Sequence, residues 1–318
     1  MRLFGVSMVR NEADVIEAFV RHNLSFLDGL LVTDHDSIDG TPGILAKLVD
    51  EGLPLLIERR TDAAFQQSEV ITALAREAFR SHGADFVFAL DADEFLKVES
   101  RARLEATLAA MPHGLHGLVS WLTYLPKRFG PGDRSFGCDH LRWRVRRDRQ
   151  GYKAVVARCL LAQVDAFISL GNHNVALSAR ATAAHALLPR DVAYAHCPVR
   201  SCAQLAGKAV VAYVASLGTQ LGPRRDRLWS ELYHQLRVGT ALTEEQASEI
   251  ACNYGLPRKK WQPIAATELV EDPVQLAVGQ RYATEALTSS LADLLRFAEE
   301  AIRGGTEPSR AAGVQSSR

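Results

Sequence analysis

The chain has 318 residues, 47% of them hydrophobic, and its 37 basic and 37 acidic side chains balance to a formal net charge of zero. That composition supplies core for one large domain or two small ones, and it lacks the broad basic field that captures nucleic acid, so no nucleic-acid partner is expected. Five scattered cysteines, Cys138, Cys159, Cys197, Cys202 and Cys252, with no CxxC pair, argue for reduced thiols and against a disulfide framework or a zinc site. The N-terminal apolar run is too short for a signal peptide, and no stretch reaches the roughly 20 apolar residues of a membrane span. A cytoplasmic protein is expected, with peripheral contact to the inner face of a membrane left open.

In chain order, Leu3 to Met8 reads as a strand, and Val15, Ile16, Phe19, Val20 and Leu24 fall at helical spacing within Ala13 to Leu24. Strands are then expected at Gly29 to Thr33, Pro54 to Ile57 and Phe86 to Leu90, with helices at Thr41 to Glu51 and Gln66 to Ser81. This alternation implies βαβ units and a mainly parallel, twisted sheet whose ligands bind beyond the carboxyl ends of the strands. Further short strands are expected at 117–124, 142–146, 152–156, 166–170 and 192–194, with a Gly/Pro/Asp loop over 129–138. Helices follow at 205–217, 227–238, 244–252 and, longest, 279–302. The Gly/Ser/Pro/Arg-rich stretch 304–318 reads as a disordered tail. The expected organisation is a catalytic domain over 1–200, a helical region over 201–303, and that tail.

Chemistry concentrates where strands end. Asp91-Ala92-Asp93-Glu94 follows a buried apolar run. Two carboxylates one residue apart on an extended chain project the same way. They repel unless a proton is shared or a hard divalent cation such as Mg²⁺ or Mn²⁺ lies between them. The bland alternative is a solvated acidic turn. Strand two ends in Asp34-His35-Asp36-Ser37-Ile38-Asp39-Gly40-Thr41-Pro42. Turn and helix-start chemistry accounts for Asp39 to Pro42 but not for Asp34 and Asp36, and Asp34 is a candidate acceptor for a nucleobase imide or a ribose hydroxyl. Strand one ends in Arg10-Asn11-Glu12, where Asn11 and Glu12 suit a helix start and Arg10 suits a phosphate. The basic run Arg142 to Arg149, with Trp143 inside it, reads as a charged edge strand, with an anionic or sugar acceptor patch as the alternative.

Met8-Val9-Arg10-Asn11-Glu12, Asp34 through Thr41, and Leu90-Asp91-Ala92-Asp93-Glu94-Phe95-Leu96, in this order, resemble the family 2-type glycosyltransferases of GT-A fold, in the branch reading MVRNE, DxxSxDGT and LDxDEFL. Gln67 matches a glutamine of that branch, Gly171-Asn172-His173-Asn174 resembles its second, histidine-bearing segment, and Tyr152-Lys153 resembles a lysine it carries before a strand. Ala195-His196-Cys197-Pro198-Val199-Arg200-Ser201 followed by Lys208 resembles its HYxxRS…K segment, with Cys197 in place of the aromatic. The resemblance implies an α/β, Rossmann-like GT-A domain with a helical C-terminal extension. It implies a metal-dependent, inverting transfer from a nucleotide-diphosphate sugar, most commonly a UDP-sugar, to an acceptor hydroxyl on a saccharide, a lipid-linked sugar, a protein or a small molecule. Asp91, Asp93, His196 and His173 are the implied ligands of Mn²⁺ or Mg²⁺. Arg10, Asn11, Glu12, Asp34, Asp36, Gln67, Asp91, Lys153 and Lys208 are the implied nucleotide-sugar contacts. Inversion needs a general base. Asp139, Asp165 and Asp191 are the downstream candidates, with Asp191 taken forward beside Glu94, and Arg200 is given no role. A homo-oligomer through the C-terminal helices is a further expectation. The alternatives are a non-catalytic sugar-nucleotide-binding scaffold on the same domain and a nucleotidyltransferase, against which the absence of a Gly-rich loop after strand one speaks.

Overall fold

The computed structural model describes all residues except 62–65, 128, 130–135, 147–150, 162, 179, 189, 218–226, 277–279, 283–289 and 306–318. In chain order the elements are β1 (Leu3–Val9), α1 (Ile16–Leu24), β2 (Gly29–His35), α2 (Thr41–Asp50), β3 (Leu55–Arg60), α3 (Gln67–Ser81) and β4 (Phe86–Ala89). Next come β5 (Glu94–Lys97), α4 (Arg101–Ala109), β6 (His116–Leu125), β7 (Trp143–Val145), β8 (Gly151–Ala157), α5 (Arg158–Leu161), β9 (Ala166–Ile168), β10 (Val175–Leu177), β11 (Arg180–Ala181), β12 (Ala184–Ala186) and β13 (Ala193–His196). The chain ends with α6 (Cys202–Leu217), α7 (Arg227–Arg237), α8 (Glu244–Cys252), β14 (Leu269–Glu271) and α9 (Leu291–Gly305).

Two compact units emerge: Met1–Asp62, Gln66–Leu205 and Leu242–Ser289 form the first, and Ala63–Phe65, Ala206–Ala241 and Ser290–Arg318 the second. The described part of the second unit is helical, carrying most of α6, all of α7 and α9, and a stacked pair of rings, Tyr213 and Tyr233, with centroids 4.0 Å apart.

In the first unit an eleven-stranded sheet runs β14-β7-β6-β8-β4-β1-β2-β3, with β12 and β13 also on β6 and β5 on β13. The segment β4-β1-β2-β3 is parallel throughout, as the alternating apolar runs predict. Alternate residues of these strands face different helices. Leu3, Leu30, Val32 and Phe88 share a core with Ile16, Phe19, Val20, Ile44, Leu45 and Leu48 of α1 and α2. Phe4, Val6, Leu31, Val87 and Ala89 share one with Val70, Ile71, Leu74, Ala75 and Phe79 of α3. The result is an α/β/α sandwich in which burial on both faces explains why these strands read as continuous apolar runs. The α/β, Rossmann-like expectation holds.

Beyond β4 the sheet becomes mixed. β8 runs antiparallel to β4 and to β6, and β13 lies parallel to β6 and antiparallel to β5. Strand β14 closes the edge of β7, and three ion pairs align there: Arg142–Glu271 at 2.6 Å, Arg144–Asp272 at 2.7 Å and Arg146–Glu268 at 2.6 Å. The basic run from Arg142 is therefore a charged strand neutralised by its neighbour, and the edge-strand expectation fails because β7 is paired on both sides, by β14 and by β6. The expected helix 279–302 is shorter: Gln280 to Tyr282 is non-helical and α9 begins at Leu291. The Arg281 and Tyr282 N–H groups donate to the buried Glu17 carboxylate of α1 at 2.7–2.9 Å. The expected disorder of the tail falls on 306–318, outside the described residues.

Candidate functional site

Strand register assembles the site. The parallel strands deliver Arg10, Asp34, Arg59 and Asp91 to one carboxyl edge. Antiparallel β8 pairs Phe88 with Val155, so its beginning, with Gly151 and Lys153, lies where β4 ends. Parallel β13 sets His196 beside Thr123 of β6, and its antiparallel pairing with β5 sets His196 opposite Glu94.

The acidic motif is not extended. Strand β4 stops at Ala89, and the Glu94 N–H donates to the Asp91 carbonyl at 3.0 Å, closing a turn before β5 begins. The expectation that Asp91 and Asp93 project together fails for this reason, since a turn breaks the two-residue side-chain period. Asp91 receives Gln67 Nε2 at 3.3 Å, Asn172 Nδ2 at 3.1 Å and the Lys153 ammonium. Asp93 instead faces His196 Nε2 at 3.5 Å and Arg200 Nη1 at 3.9 Å.

Beneath the turn, Glu94 is fully buried, accepts the Asp91 N–H at 2.9 Å and meets Lys153 Nζ at 3.2 Å. Burial pushes its carboxyl up to about 8, countered by Lys153 and reinforced by Asp91 and Asp93. Burial opposes the Lys153 charge, yet the Asp91 and Glu94 carboxylates prevail and hold its ammonium above the ordinary lysine range. Arg200, buried at 3% exposure, binds Glu12 at 2.5 Å and Asp14 at 2.6 and 2.9 Å while approaching Asp93. Those carboxylates raise its pKa well above normal against the cost of burial. Glu12 thus serves an ion pair that ties the end of β1 to the acidic turn, and Arg200 is a site residue without an assignment from sequence. Its only signal there is a basic residue four positions beyond the site histidine.

The two loops after β1 and β2 are laced together. The Asn11 N–H donates to Ser37 Oγ at 2.9 Å, Ile38 N–H to Asn11 Oδ1 at 2.8 Å, Glu12 N–H to Thr41 Oγ1 at 2.8 Å and Ala13 N–H to Asp39 Oδ2 at 3.1 Å. Asn11, with φ of 55°, is a loop clasp rather than a helix cap, because α1 starts only at Ile16. This lacing frames Asp34, 1% exposed, whose two carboxylate oxygens accept no hydrogen bond from the described residues. Arg59 Nε lies 3.9 Å from Asp34, and Arg59 Nη2 lies 3.6 Å from Asp36. Burial lowers the Arg10 pKa, and Asp36 and Asp34 oppose that shift. Arg59 is a second residue that sequence reading passed over, hidden inside a strand.

Gln67 is doubly engaged, donating to Asp91 and accepting the Gly171 N–H at 3.0 Å. It joins the acidic turn to the Gly171–Asn174 segment, where Gly171 (φ 76°) and Asn172 (φ 61°) reverse the chain. Within that segment Asn172 reaches Asp91 and His173 does not. The His173 Nδ1 pairs with the Tyr152 carbonyl at 2.8 Å, and its exposed ring lies against Trp121. Trp121 also touches His196 and is held over β8 by Gly151, whose hydrogen leaves the room a Cβ would take, 2.2 Å from the indole. Asp191 sits at the far end of β13 from His196, paired with Arg103 of α4, so it is not beside the acidic turn. Asp139 and Asp165 are exposed. Lys208 lies on α6 in the second unit.

Asp93 and His196 offer a carboxylate oxygen and an imidazole nitrogen 3.5 Å apart, a separation suited to two neighbouring ligands that each lie roughly 2.1 Å from one ion. As a pair they fit a divalent metal, which they would hold with further ligands from outside the pair. His173 is turned to a carbonyl, and Asp91 already accepts three nitrogen donors, so neither joins that pair. Among the described residues no group of three or more His, Cys, Asp or Glu side chains is placed to hold a metal ion by itself, and no helix is long and apolar enough to cross a membrane.

No family model and no curated protein matches the sequence. Among solved structures, S. aureus TarS aligns at 12% identity and TM-score 0.39 over 81% of this chain and 50% of its own, so the chain spans half the length of that protein. The mannosyltransferase PcManGT from Pyrobaculum calidifontis, in complex with GDP-Man and Mn²⁺, aligns at 18% identity and TM-score 0.40 over 79% of this chain and 72% of its own. Glucosyl-3-phosphoglycerate synthase from Mycobacterium tuberculosis, in complex with Mn²⁺, UDP and glucosyl-3-phosphoglycerate, aligns at 17% identity and TM-score 0.24 over 38% and 43%.

Proposed function

We propose that the protein is a GT-A glycosyltransferase that moves a sugar from a nucleoside-diphosphate sugar, UDP-linked in the first instance, to an acceptor hydroxyl with inversion. One observation carries the reading. The three motifs behind the family resemblance converge on one carboxyl edge, which carries a buried Asp34 carboxylate that accepts no hydrogen bond from the described residues, and beyond β4 a carboxylate–imidazole pair. A buried acceptor left unsatisfied costs free energy that a ligand donor recovers, and a base imide or ribose hydroxyl is such a donor. Arg59, more than half exposed, is the neighbour that swings aside to admit it.

Asp93 and His196 would hold Mn²⁺ or Mg²⁺, which when bound supplies Lewis-acid relief of the charge on the departing diphosphate. Arg10 sits at the same edge to meet a phosphate. Glu94 is a positioning residue: buried under the turn, it holds Asp91 N–H and Lys153. The acceptor proton is assigned to neither Glu94 nor Asp191 in this reading.

The test is binding of UDP and GDP with and without Mn²⁺, read by thermal shift, since a ligand that binds only the native state raises its stability. The expected result is tighter nucleotide binding with Mn²⁺ and loss of that increment in Asp93→Ala. Nucleotide affinity unchanged by chelation sinks the metal role. Slow, Mn²⁺-dependent hydrolysis of a labelled nucleotide sugar separates the enzyme from a non-catalytic scaffold.

A further inference from the structure

We propose that Lys153 is a tethered cation that keeps Asp91 and Glu94 out of metal coordination and confines a divalent ion to the Asp93–His196 side of the turn. The inference rests on the metal-dependent reading above and adds a residue that sets metal number and affinity.

Three carboxylates within four residues, Asp91, Asp93 and Glu94, are the material of a hard-cation site. The fold does not leave them together. Lys153 is 3% exposed, its ammonium touches Asp91 Oδ2 and lies 3.2 Å from Glu94 Oε1, and the Trp121 ring covers it at 5.8 Å. Its placement follows from sheet register: β8 pairs Lys153 with Val119 on one side, and Val155 pairs with Phe88 on the other. Two residues earlier, Gly151 lets the indole lie flat against the strand. The other Asp91 oxygen accepts the Gln67 and Asn172 amides. Among the described residues the hydrogen-bond partners of the Asp91 side chain are N–H donors carrying positive charge on their hydrogens, which is the reverse of what a metal ion requires around it.

Two consequences follow. The first is that Asp91 organises protein, joining α3, β8 and the Gly171–Asn174 segment, and does not ligate. The second is that the free protein presents a thin donor set, so metal loading depends on oxygens that the nucleotide brings, coupling the metal to the donor substrate.

The experiment titrates Mn²⁺ alone, by calorimetry and by loss of the free-ion spin-resonance signal, into folded wild type and variants. Lys153→Gln is expected to bind Mn²⁺ at least about tenfold tighter, and adding Asp91→Asn to it removes the gain. Lys153→Arg, which keeps the charge, stays at the wild-type value. In the wild-type background Asp91→Asn leaves Mn²⁺ affinity within about twofold, whereas Asp93→Ala lowers it about tenfold or more. Wild-type affinity in a folded Lys153→Gln, or a loss of about tenfold in Asp91→Asn, overturns the proposal. The Asp91→Asn arm stands even where Lys153→Gln fails to fold. Insensitivity of Mn²⁺-linked nucleotide binding to Asp93→Ala is a different failure, that of the metal reading itself.

Discussion

Asp34→Leu separates a functional carboxylate from a structural one. The side chain is 1% exposed and neither oxygen accepts a hydrogen bond from the described residues, so its burial carries a desolvation penalty of about several kcal/mol. The compensating attraction comes from Arg59, whose Nε is 3.9 Å away, and from Arg10. At that distance a unit pair contributes about 4 kcal/mol in an effective dielectric of ~20. Arg59 is 59% exposed, and solvent screening reduces its share to about 1 kcal/mol. Leucine has similar volume and needs no partner. The expected outcome is an apo protein whose unfolding free energy changes by no more than about 1 kcal/mol, in either direction. Nucleotide binding should behave oppositely, because charge-assisted hydrogen bonds contribute about 1.5–3 kcal/mol, or about ten- to hundredfold in affinity. Denaturant unfolding of the free protein and calorimetric titration with UDP and GDP measure the two effects on one sample. A variant that loses more than about 2 kcal/mol of stability while binding nucleotide normally would refute the assignment and make Asp34 a structural acid.

Glu94, with its carboxyl raised from 4.5 to about 8 by burial, binds its proton more tightly folded than unfolded. The stability that proton confers is full below pH 4.5 and lost as pH rises through about 8. The difference in unfolding free energy between wild type and Glu94→Gln should therefore shift in favour of the variant between pH 5 and 8, and a constant difference contradicts the burial argument. Arg200→Met leaves Glu12, Asp14 and Asp93 without their common counter-ion and should cost about 3–5 kcal/mol in denaturant unfolding; a loss under about 1 kcal/mol says the network is solvated. Gly151→Ala puts a methyl 2.2 Å from the Trp121 ring and should cost about 1–3 kcal/mol with a change in near-ultraviolet dichroism, while an unaltered spectrum shows that the indole is not pinned there.

How much of this was legible in the sequence depends on where the determining contacts lie along the chain. The parallel segment β4-β1-β2-β3 was readable because each strand is an apolar run beside a helix with its own periodicity, and successive βαβ units place their carboxyl ends on one edge. Arg10, Asp34 and the acidic motif came with that edge. Asp91 and Asp93 part company because Glu94 must be the first residue of β5, and β5 exists only through its pairing with β13, about a hundred residues later. Lys153 reaches the turn because β8 enters the sheet antiparallel, beginning where β4 ends. Arg200 meets Glu12 and Asp14 across 188 and 186 residues of separation. No local window encodes such partners. A resemblance can name the residues, but their roles are decided by charge balance inside the fold. Of the three acids in the motif, one is bound to a buried lysine, one is protonated more readily than an ordinary glutamate, and one faces histidine and arginine. On the proposed reading Asp93 is the carboxylate that would meet the metal. That makes the chemistry of the site a property of β8 and β13 as much as of the motif itself, and it places the decisive substitutions at Lys153 and Asp93, not at the pair of aspartates taken together.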